Sequence, residues 1–218
     1  MFLGHLALGF AAKRITPRVS LAMLLLAALW ADALWPVLVA LGIEQVAIEP
    51  GNTTFTPLNF ISYPYSHSLA MLAVWGLLIG VAYRAIAGGR RTVWVLSALV
   101  LSHWLLDVVT HRPDMPLYPN GPKFGLELWR SVPLTMLIEI LMYGAGLWLY
   151  ARATQPRDAV GKWGLVGLVA LLMLAYLANA FGSAPPTVDA LWIAALSGLA
   201  LLTALAWWVD RHRDAAAV

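Results

Sequence analysis

The stretch SHWLLDVVTHRPD, residues 102–114, carries side chains whose types and spacing are suited to chemistry. In a helix, His103 and Asp107 are four residues apart and share one face, and His111 extends that face by another turn. This is the spacing of metal ligands. The surrounding residues are apolar, as in a membrane segment, where ionisable groups are costly unless they are paired, hydrated or bound to a metal. We therefore place the functional site here.

The composition indicates a polytopic membrane protein. Of the 218 residues, 61% are hydrophobic and 11% are charged, and the mean hydropathy is +0.76. Soluble domains carry about 25% charged residues, so a soluble globular protein is excluded. The net charge of +3 does not indicate a nucleic-acid partner, because the basic residues lie in short clusters between apolar runs. Without cysteine, metal ligands must come from histidine, carboxylate or water.

Apolar runs predict the elements that position the site. We predict an all-α, polytopic membrane helical bundle of about six transmembrane helices plus an N-terminal half-helix over residues 2–12, which crosses only about half of a hydrocarbon core of roughly 30 Å. Pro36, inside the first full span, predicts a kink beside Asp32. The chain is expected to form one domain, residues 1–218, in which residues 1–151 build the site and residues 164–209 pack beside it. The predicted spans cover residues 19–43, 67–85, 92–109, 132–151, 164–181 and 190–209.

The basic residues predict the orientation of these spans. If the spans alternate in direction, eleven of the fourteen lie on one face and only Arg112, Lys123 and Arg130 on the other. Such a bias marks the cytoplasmic face, so the loops over residues 44–66 and 110–131 are expected outside. Because the chain shows no organelle-targeting signal, we expect a multi-pass protein of the plasma (inner) membrane.

Further ionisable residues fall at the same depth as the central pair. Counted at about 1.5 Å per residue from the cytoplasmic ends, five of them lie roughly 18 to 26 Å up, and His5 on the half-helix lies at the lower edge of that layer. Histidine and carboxylate together suit zinc first, with manganese or iron as alternatives, and catalytic sites keep about three protein ligands and an open position. We expect one divalent metal, bound by His67, His103 and a carboxylate, Asp107 or Asp32, with His5 as a further candidate ligand. The five residues are Asp32, His67, His103, Asp107 and Glu139.

Structural interpretations stand beside the metal site. The central histidine and aspartate can instead form a hydrogen-bonded pair that packs helices, or a proton relay. Asp32 can cap backbone freed by the nearby proline, and His67 can cap the helix that it precedes. Glu139 can be a buried partner of Arg130 or His111.

Charged residues around the mouth of the site are candidates for catalysis. Glu139 and Asp114 are candidate general bases, and His111, three residues before Asp114, is a further catalytic candidate. Arg112 is a candidate for binding a phosphate or carboxylate group of the substrate.

Several of these motifs resemble a known family. GHL at residues 4–6, an acid in the next span, SHS at residues 66–68 and the pattern Ser-His-x-Leu-x-Asp-x-x-Thr at residues 102–110 are similar to the YdjM-like membrane-bound metal-dependent hydrolases of the inner membrane. The resemblance covers roughly the first 115 residues. It implies a metal-dependent hydrolase, with the ligand candidates Asp32, His67, His103 and Asp107.

The chain departs from that family at two motifs. The family commonly has Pro-Asp-x-Asp-His where residues 31–35 read ADALW, and His-Arg-Gly-x-Thr-His-Ser where residues 62–68 read SYPYSHS. One acid and two histidines are therefore missing, and a two-metal centre is not expected.

The predicted function is hydrolysis of a lipid-borne ester or phosphoester from the extracytoplasmic side, because a site at this depth opens to the outer leaflet. The expected partners are membrane lipid and a lipid-like substrate. One alternative is a small transporter or ion-binding membrane protein that uses the same His/Asp cluster, and another is a non-catalytic scaffold. Between the depth of His5 and the basic residues at the cytoplasmic ends, the spans carry no ionisable residue. This favours a cavity that opens on one side over a pathway through the membrane.

Overall fold

The structure is a computed structural model that describes residues 1–216, and helices make up most of it. Within these residues the α-helices are α1 Phe2–Ala12, α2 Leu21–Ala28, α3 Trp30–Ala40, α4 Leu69–Ala87, α5 Arg90–Thr110, α6 Val132–Ala153, α7 Leu165–Phe181 and α8 Val188–Arg211. A π-helical turn, Val160–Gly164, leads directly into α7.

The helices confirm an all-α, multi-pass membrane bundle. Five segments are long and apolar enough to cross a bilayer, and the pair α2 and α3 adds a sixth if it counts as one broken span. The short apolar helix α1 is the predicted half-helix. On α4, Val74, Leu77, Leu78 and Val81 are each about half exposed, which is the apolar outer surface expected against lipid.

Helix α1 lies inside the bundle rather than against lipid. Its Leu3, Leu6 and Phe10 are fully buried, and it packs on α2 and α6. The approach to α6 is close at Gly146, where a Cβ atom would collide with the backbone of Ala7. This packing carries His5 into the interior of the protein.

The first full span is broken at Leu29, and not at Pro36 as the sequence predicted. Helices α2 and α3 meet there at an angle of 61°, whereas Pro36 is accommodated within α3. The missing N–H of Pro36 would otherwise bond the carbonyl of Asp32, four residues earlier. The break leaves the carbonyl group of Ala28 at the end of α2, four residues before Asp32.

Two small hairpins cover the predicted outer end of the bundle, where the sequence indicated only polar loops. Strands β1, Gln45–Ile48, and β2, Leu58–Ser62, pair antiparallel, and β3, Met115–Pro116, pairs with β4, Lys123–Phe124. A 3-10 turn at Leu128–Arg130 precedes α6. Phe60 from β2 and Trp129 from this turn pack together with ring centroids 6.4 Å apart, and form an aromatic roof above α5.

The last two spans close the other side of the bundle. Helix α8 packs along α2 and α3, and the short strands β5, Thr154–Pro156, and β6, Arg213–Ala215, pair at its far end. Near that end, the side chains of Lys13 and Asp210 form a buried ion pair with a separation of 2.6 Å. This pair ties α8 to the turn between α1 and α2.

Candidate metal centre

One cluster of ionisable side chains lies beneath the aromatic roof. Helices α1, α3 and α5 supply four of its members, and the residues flanking α4 and α5 supply the other two. Its members are His5 of α1, Asp32 of α3, His67 just before α4, His103 and Asp107 of α5, and His111 just after α5. Asp32 is the member that keeps a large exposed surface. The cluster is therefore an interior polar site in an apolar bundle.

The carboxylate of Asp107 is the centre of this cluster. Its Oδ2 atom lies 3.1 Å from Nε2 of His103, 3.8 Å from Nε2 of His111 and 4.0 Å from Nε2 of His67. His103, Asp107 and His111 are spaced by four residues, so one face of α5 and its end supply three of these groups. The side chain of His67 reaches the same oxygen from the start of α4.

Asp32 adds a second carboxylate from the opposite side. Its Oδ1 atom lies 3.7 Å from Nε2 of His67 and 3.8 Å from Nε2 of His103. Its side chain is 45% exposed, whereas the side chains of His67 and His103 are 3% and 0% exposed. The cluster is therefore open on the side of Asp32 and closed elsewhere.

The backbone fixes the tautomer of His103. Its Nδ1 atom lies 2.9 Å from the carbonyl oxygen of Ala28, the group exposed by the break at Leu29. A carbonyl oxygen can only accept a hydrogen bond, so Nδ1 carries the hydrogen, and Nε2 of a neutral ring presents a lone pair to Asp107. That Nε2 atom is buried and has no hydrogen-bond donor.

His111 is oriented in the same way by a side chain. Its Nδ1 atom lies 3.0 Å from Oδ1 of Asp114, and that oxygen also accepts a hydrogen bond from the hydroxyl of Tyr63 at 2.7 Å. Burial and the Asp114 carboxylate raise the pKa of the Tyr63 phenol well above its usual value, so the phenol remains a donor. The ring of His111 packs 4.2 Å from that of Trp129 in the roof.

His67 is held by its neighbour in sequence. Its Nδ1 atom lies 2.7 Å from the hydroxyl oxygen of Ser66. The predicted capping role belongs to Ser68, whose side chain accepts from the backbone N–H of Met71, so the ring of His67 is free to face the cluster. All three histidines thus direct Nε2 toward the carboxylates.

His5 meets the other oxygen of the central carboxylate. Its Nε2 atom lies 3.0 Å from Oδ1 of Asp107, which the amino group of Met1 also contacts. The rings of His5 and His103 stack in parallel with centroids 3.7 Å apart. His5 therefore fills the space behind Asp107, and Oδ2 remains turned toward the other three histidines.

Glu139 has a different partner from those considered in the sequence. Its Oε2 atom accepts hydrogen bonds from the backbone N–H groups of Leu3 at 2.6 Å and Gly4 at 3.3 Å. A carboxylate at a helix N-terminus satisfies donors that have no partner within the helix. Glu139 thus holds α1 in place, while Arg130 pairs with Glu127 at 2.7 Å. The proposed pairing of Glu139 with Arg130 or His111 was wrong.

The remaining candidates lie around the roof. Arg112 is 30% exposed, donates to the side chain of Asn59 at 2.8 Å and lies 3.7 Å from Asp114. Its guanidinium is therefore engaged on two sides. Sequence reasoning missed the supporting acceptors Ala28 and Ser66, because a backbone carbonyl and a serine carry no signal of their own. It also missed Glu44, a buried acid that bonds to Ser66.

The geometry of this cluster fits a metal ion. His103 Nε2 and Asp107 Oδ2 are both acceptors when the ring is neutral, and two acceptors 3.1 Å apart repel each other unless a proton or a metal ion lies between them. The imidazole–carboxylate separations run from 3.1 to 4.0 Å. Ligands bound at about 2.0–2.2 Å to zinc are about 3.3–3.6 Å apart around a tetrahedron. Two sets of three side chains in this cluster bring their ligand atoms close enough to hold a metal ion: His5, His103 and Asp107, and Asp32, His67 and His103.

No family model, curated protein or solved structure matches this chain. The likeness of residues 102–110 to the YdjM-like hydrolases stays a prediction from short motifs.

Proposed function

We propose that this protein is a membrane-embedded, metal-dependent hydrolase that cleaves a lipid-borne ester or phosphoester from the extracytoplasmic side. The observation that carries the proposal is the convergence of three histidine Nε2 atoms on one carboxylate oxygen, each histidine being oriented through Nδ1 by its own oxygen acceptor. Metal-binding histidines are held in this way by outer partners in characterised sites.

The proposed ligands are His67, His103 and His111 through Nε2, and Asp107 through Oδ2. Imidazole and carboxylate suit zinc best, with manganese and iron as alternatives. When bound, such an ion supplies a Lewis acid and lowers the pKa of water toward 7. Asp107 supplies the negative charge that the ion requires, and His5 holds its second oxygen away from the ion.

Asp32 is the proposed general base. The bases expected from the sequence are less accessible, since Glu139 is fully buried and holds α1 through Oε2, and Asp114 accepts from Tyr63 and His111. Asp32 instead faces the open side, where water and substrate can approach. Its carboxylate can take the proton of an attacking water and pass it to the leaving oxygen.

Access from the side supports a lipid substrate. Helix α3 packs mainly on α8, and α4 mainly on α5, so α3 and α4 hardly approach each other. Trp30, two residues before Asp32, meets Trp75 across this interval with ring centroids 6.1 Å apart. Above the cluster, Tyr63 and Met115 are almost fully buried, which closes the direct route from the aqueous side. A substrate that arrives within the outer leaflet fits this arrangement.

The inner half of the bundle favours a one-sided site over a transport path. Phe10, Leu24 and Leu25 are buried between the cluster and the inner end, and the Lys13–Asp210 pair there is fully bonded. The plasma membrane and the outward orientation of the site remain part of the proposal. Single cysteines in this cysteine-free chain test the orientation: an impermeant reagent should label a cysteine at Asn52 and leave one at Gly88 unlabelled.

Metal binding tests the proposal most directly. Wild-type protein, purified without chelator, should carry close to one equivalent of zinc, manganese or iron. Asp107→Asn, which is nearly isosteric but uncharged, should lose the metal, and Asp32→Asn should keep the metal while losing hydrolysis of a fluorogenic lipid ester or phosphodiester. Added metal at a hundred times its Kd should stabilise wild type by about 2.7 kcal/mol.

The matched control is Asp189→Asn, a change at an acid remote from the cluster on α8. It should retain both the metal and the activity. Wild-type protein with less than about a tenth of an equivalent, and with no stabilisation by added metal, would overturn the metal site and with it the hydrolase. A wild-type metal content in Asp107→Asn would show that the central pair only packs the helices.

A further inference from the structure

Glu44, the first residue of the predicted outer loop, is buried and has no role in the proposed chemistry described so far. It is 1% exposed, and its Oε1 atom accepts hydrogen bonds from the backbone N–H groups of Tyr65 at 2.8 Å and Ser66 at 2.9 Å. Its Oε2 atom accepts from the hydroxyl of Ser66 at 2.5 Å. Both carboxylate oxygens are thus directed at the segment immediately before His67.

The chemistry of these groups fixes the direction of each hydrogen bond. A carboxylate can only accept, so the single hydrogen of the Ser66 hydroxyl is donated to Glu44. The serine oxygen then has only lone pairs for His67, and the 2.7 Å contact with Nδ1 requires that Nδ1 carry a hydrogen. In the neutral ring, Nε2 is left with the lone pair that faces Asp32 and Asp107.

We propose that Glu44 is a positioning residue that, through Ser66, selects the metal-binding tautomer of His67. This proposal rests on the proposed function, because it assumes that Nε2 of His67 is a ligand. The other two histidines reach the same tautomer by other means, a backbone carbonyl for His103 and Asp114 for His111. Glu44 is therefore the group whose effect is specific to His67.

Glu44→Gln is the most informative variant because it reverses the relay. The glutamine carbonyl oxygen takes the place of Oε1 and still accepts from the two backbone N–H groups. The amide NH2 then takes the place of Oε2 and donates to the Ser66 oxygen. The serine hydroxyl must turn its hydrogen to Nδ1 of His67, which moves the ring hydrogen to Nε2 and blocks the ligand.

The tautomer can be read without metal or activity. In metal-free protein labelled with 15N-histidine, the His67 signals are assigned by their loss in His67→Ala. Wild type should show a protonated Nδ1 and an unprotonated Nε2, and Glu44→Gln should show the reverse. Glu49→Gln is the matched control, since Glu49 is an acid on the same loop that bonds only to the side chain of Asn59 and the backbone around it. It should leave the wild-type pattern unchanged.

Zinc affinity, measured by competition with a chromophoric chelator, supplies the second readout. Loss of an outer partner weakens metal binding by about 10- to 100-fold, and we expect this loss for Glu44→Gln and not for Glu49→Gln. Ser66→Ala keeps the backbone N–H that donates to Glu44, so it is the substitute variant if Glu44→Gln folds poorly. It should weaken zinc binding by a similar factor. The double variant Glu44→Gln/Ser66→Ala should bind zinc no more weakly than the weaker of the two single variants, because Glu44 acts only through Ser66.

The outcomes separate this proposal from the proposed function. An unchanged His67 tautomer in Glu44→Gln, or zinc affinity within about twofold of wild type, overturns the role of Glu44. Fully additive losses in the double variant also overturn it. If wild type binds no metal, the hydrolase fails, and the tautomer measurement still decides whether Glu44 orients His67.

Discussion

Two buried groups of charged side chains lie at opposite ends of this bundle, and they differ in how completely their polar atoms are bonded. At the predicted inner end, Lys13 donates to Asp210 and to the carbonyl of Val19, and Asp210 also accepts from the Tyr150 hydroxyl and the Leu21 backbone. Every charged atom of that inner pair has a partner. In the His/Asp cluster at the predicted outer end, three histidine lone pairs face two carboxylates.

The difference indicates what each group is built to do. A fully bonded ion pair is complete within the protein, so it can only hold helices together. A set of acceptors turned toward one another is incomplete, and protons or a metal ion complete it. Burial and charge are shared by both groups, and only the direction of their hydrogen bonds separates a structural pair from a binding site.

The largest expected effect is on stability, from removal of Lys13. Lys13→Met leaves the carboxylate of Asp210 buried without its cation, and losing one member of a buried ion pair costs about 3–5 kcal/mol. The free energy of unfolding, measured by denaturant titration in detergent, should fall by that amount while zinc affinity stays within about twofold of wild type.

Arg130→Met is the control for this loss. Arg130 pairs with Glu127 on the surface, where an ion pair contributes little, so no measurable change in unfolding is expected. A marked loss of zinc binding in Lys13→Met would contradict the division between the two groups, because it would couple the inner pair to the outer site.

The next effect concerns His5, which the sequence predicted as a possible metal ligand and the structure places behind Asp107. If His5 supports Asp107 by donating a hydrogen bond from Nε2, His5→Gln keeps a donor and should retain zinc affinity within about threefold. His5→Leu removes the donor and should weaken zinc binding by about 10- to 100-fold. Chelator competition measures both values. Equal, large losses in the two variants would make His5 a ligand rather than a support for Asp107.

The smallest effect is expected at an exposed pair that belongs to neither group. The His212 side chain lies 2.7 Å from Oδ2 of Asp158, and this contact lowers the pKa of the Asp158 carboxyl below its usual value of 3.8. A depressed pKa in the folded state means that the pair stabilises the fold above that usual value and that this contribution is lost as the pH falls through the lowered pKa.

Asp158→Asn should therefore lower the melting temperature slightly at about pH 7 and leave it unchanged at about pH 2, relative to wild type. Zinc affinity at about pH 7 should not change. A larger loss of melting temperature at low pH than at neutral pH would contradict this prediction and show that His212 does not stabilise the ionised carboxylate of Asp158.

Much of the fold followed from local patterns in the sequence. Runs of apolar residues predicted the spans, and their lengths distinguished the half-helix α1 from the full spans. The break in the first span was misplaced, because proline is a visible signal whereas the change in direction at Leu29 depends on what α2 and α3 pack against. The outer hairpins were missed because strands this short carry little periodicity.

The sequence by itself determined that this is a multi-pass helical protein and that His103 and Asp107 share a face. These properties depend on hydropathy and helical spacing, which are local. Only the tertiary structure decided which atom each side chain turns to its neighbours. The acceptor for Nδ1 of His103 lies 75 residues away, the partner of Glu139 lies 135 residues away, and a single hydrogen-bond direction decides whether a ring nitrogen can bind a metal. No local pattern encodes such contacts, because they exist only when distant helices pack.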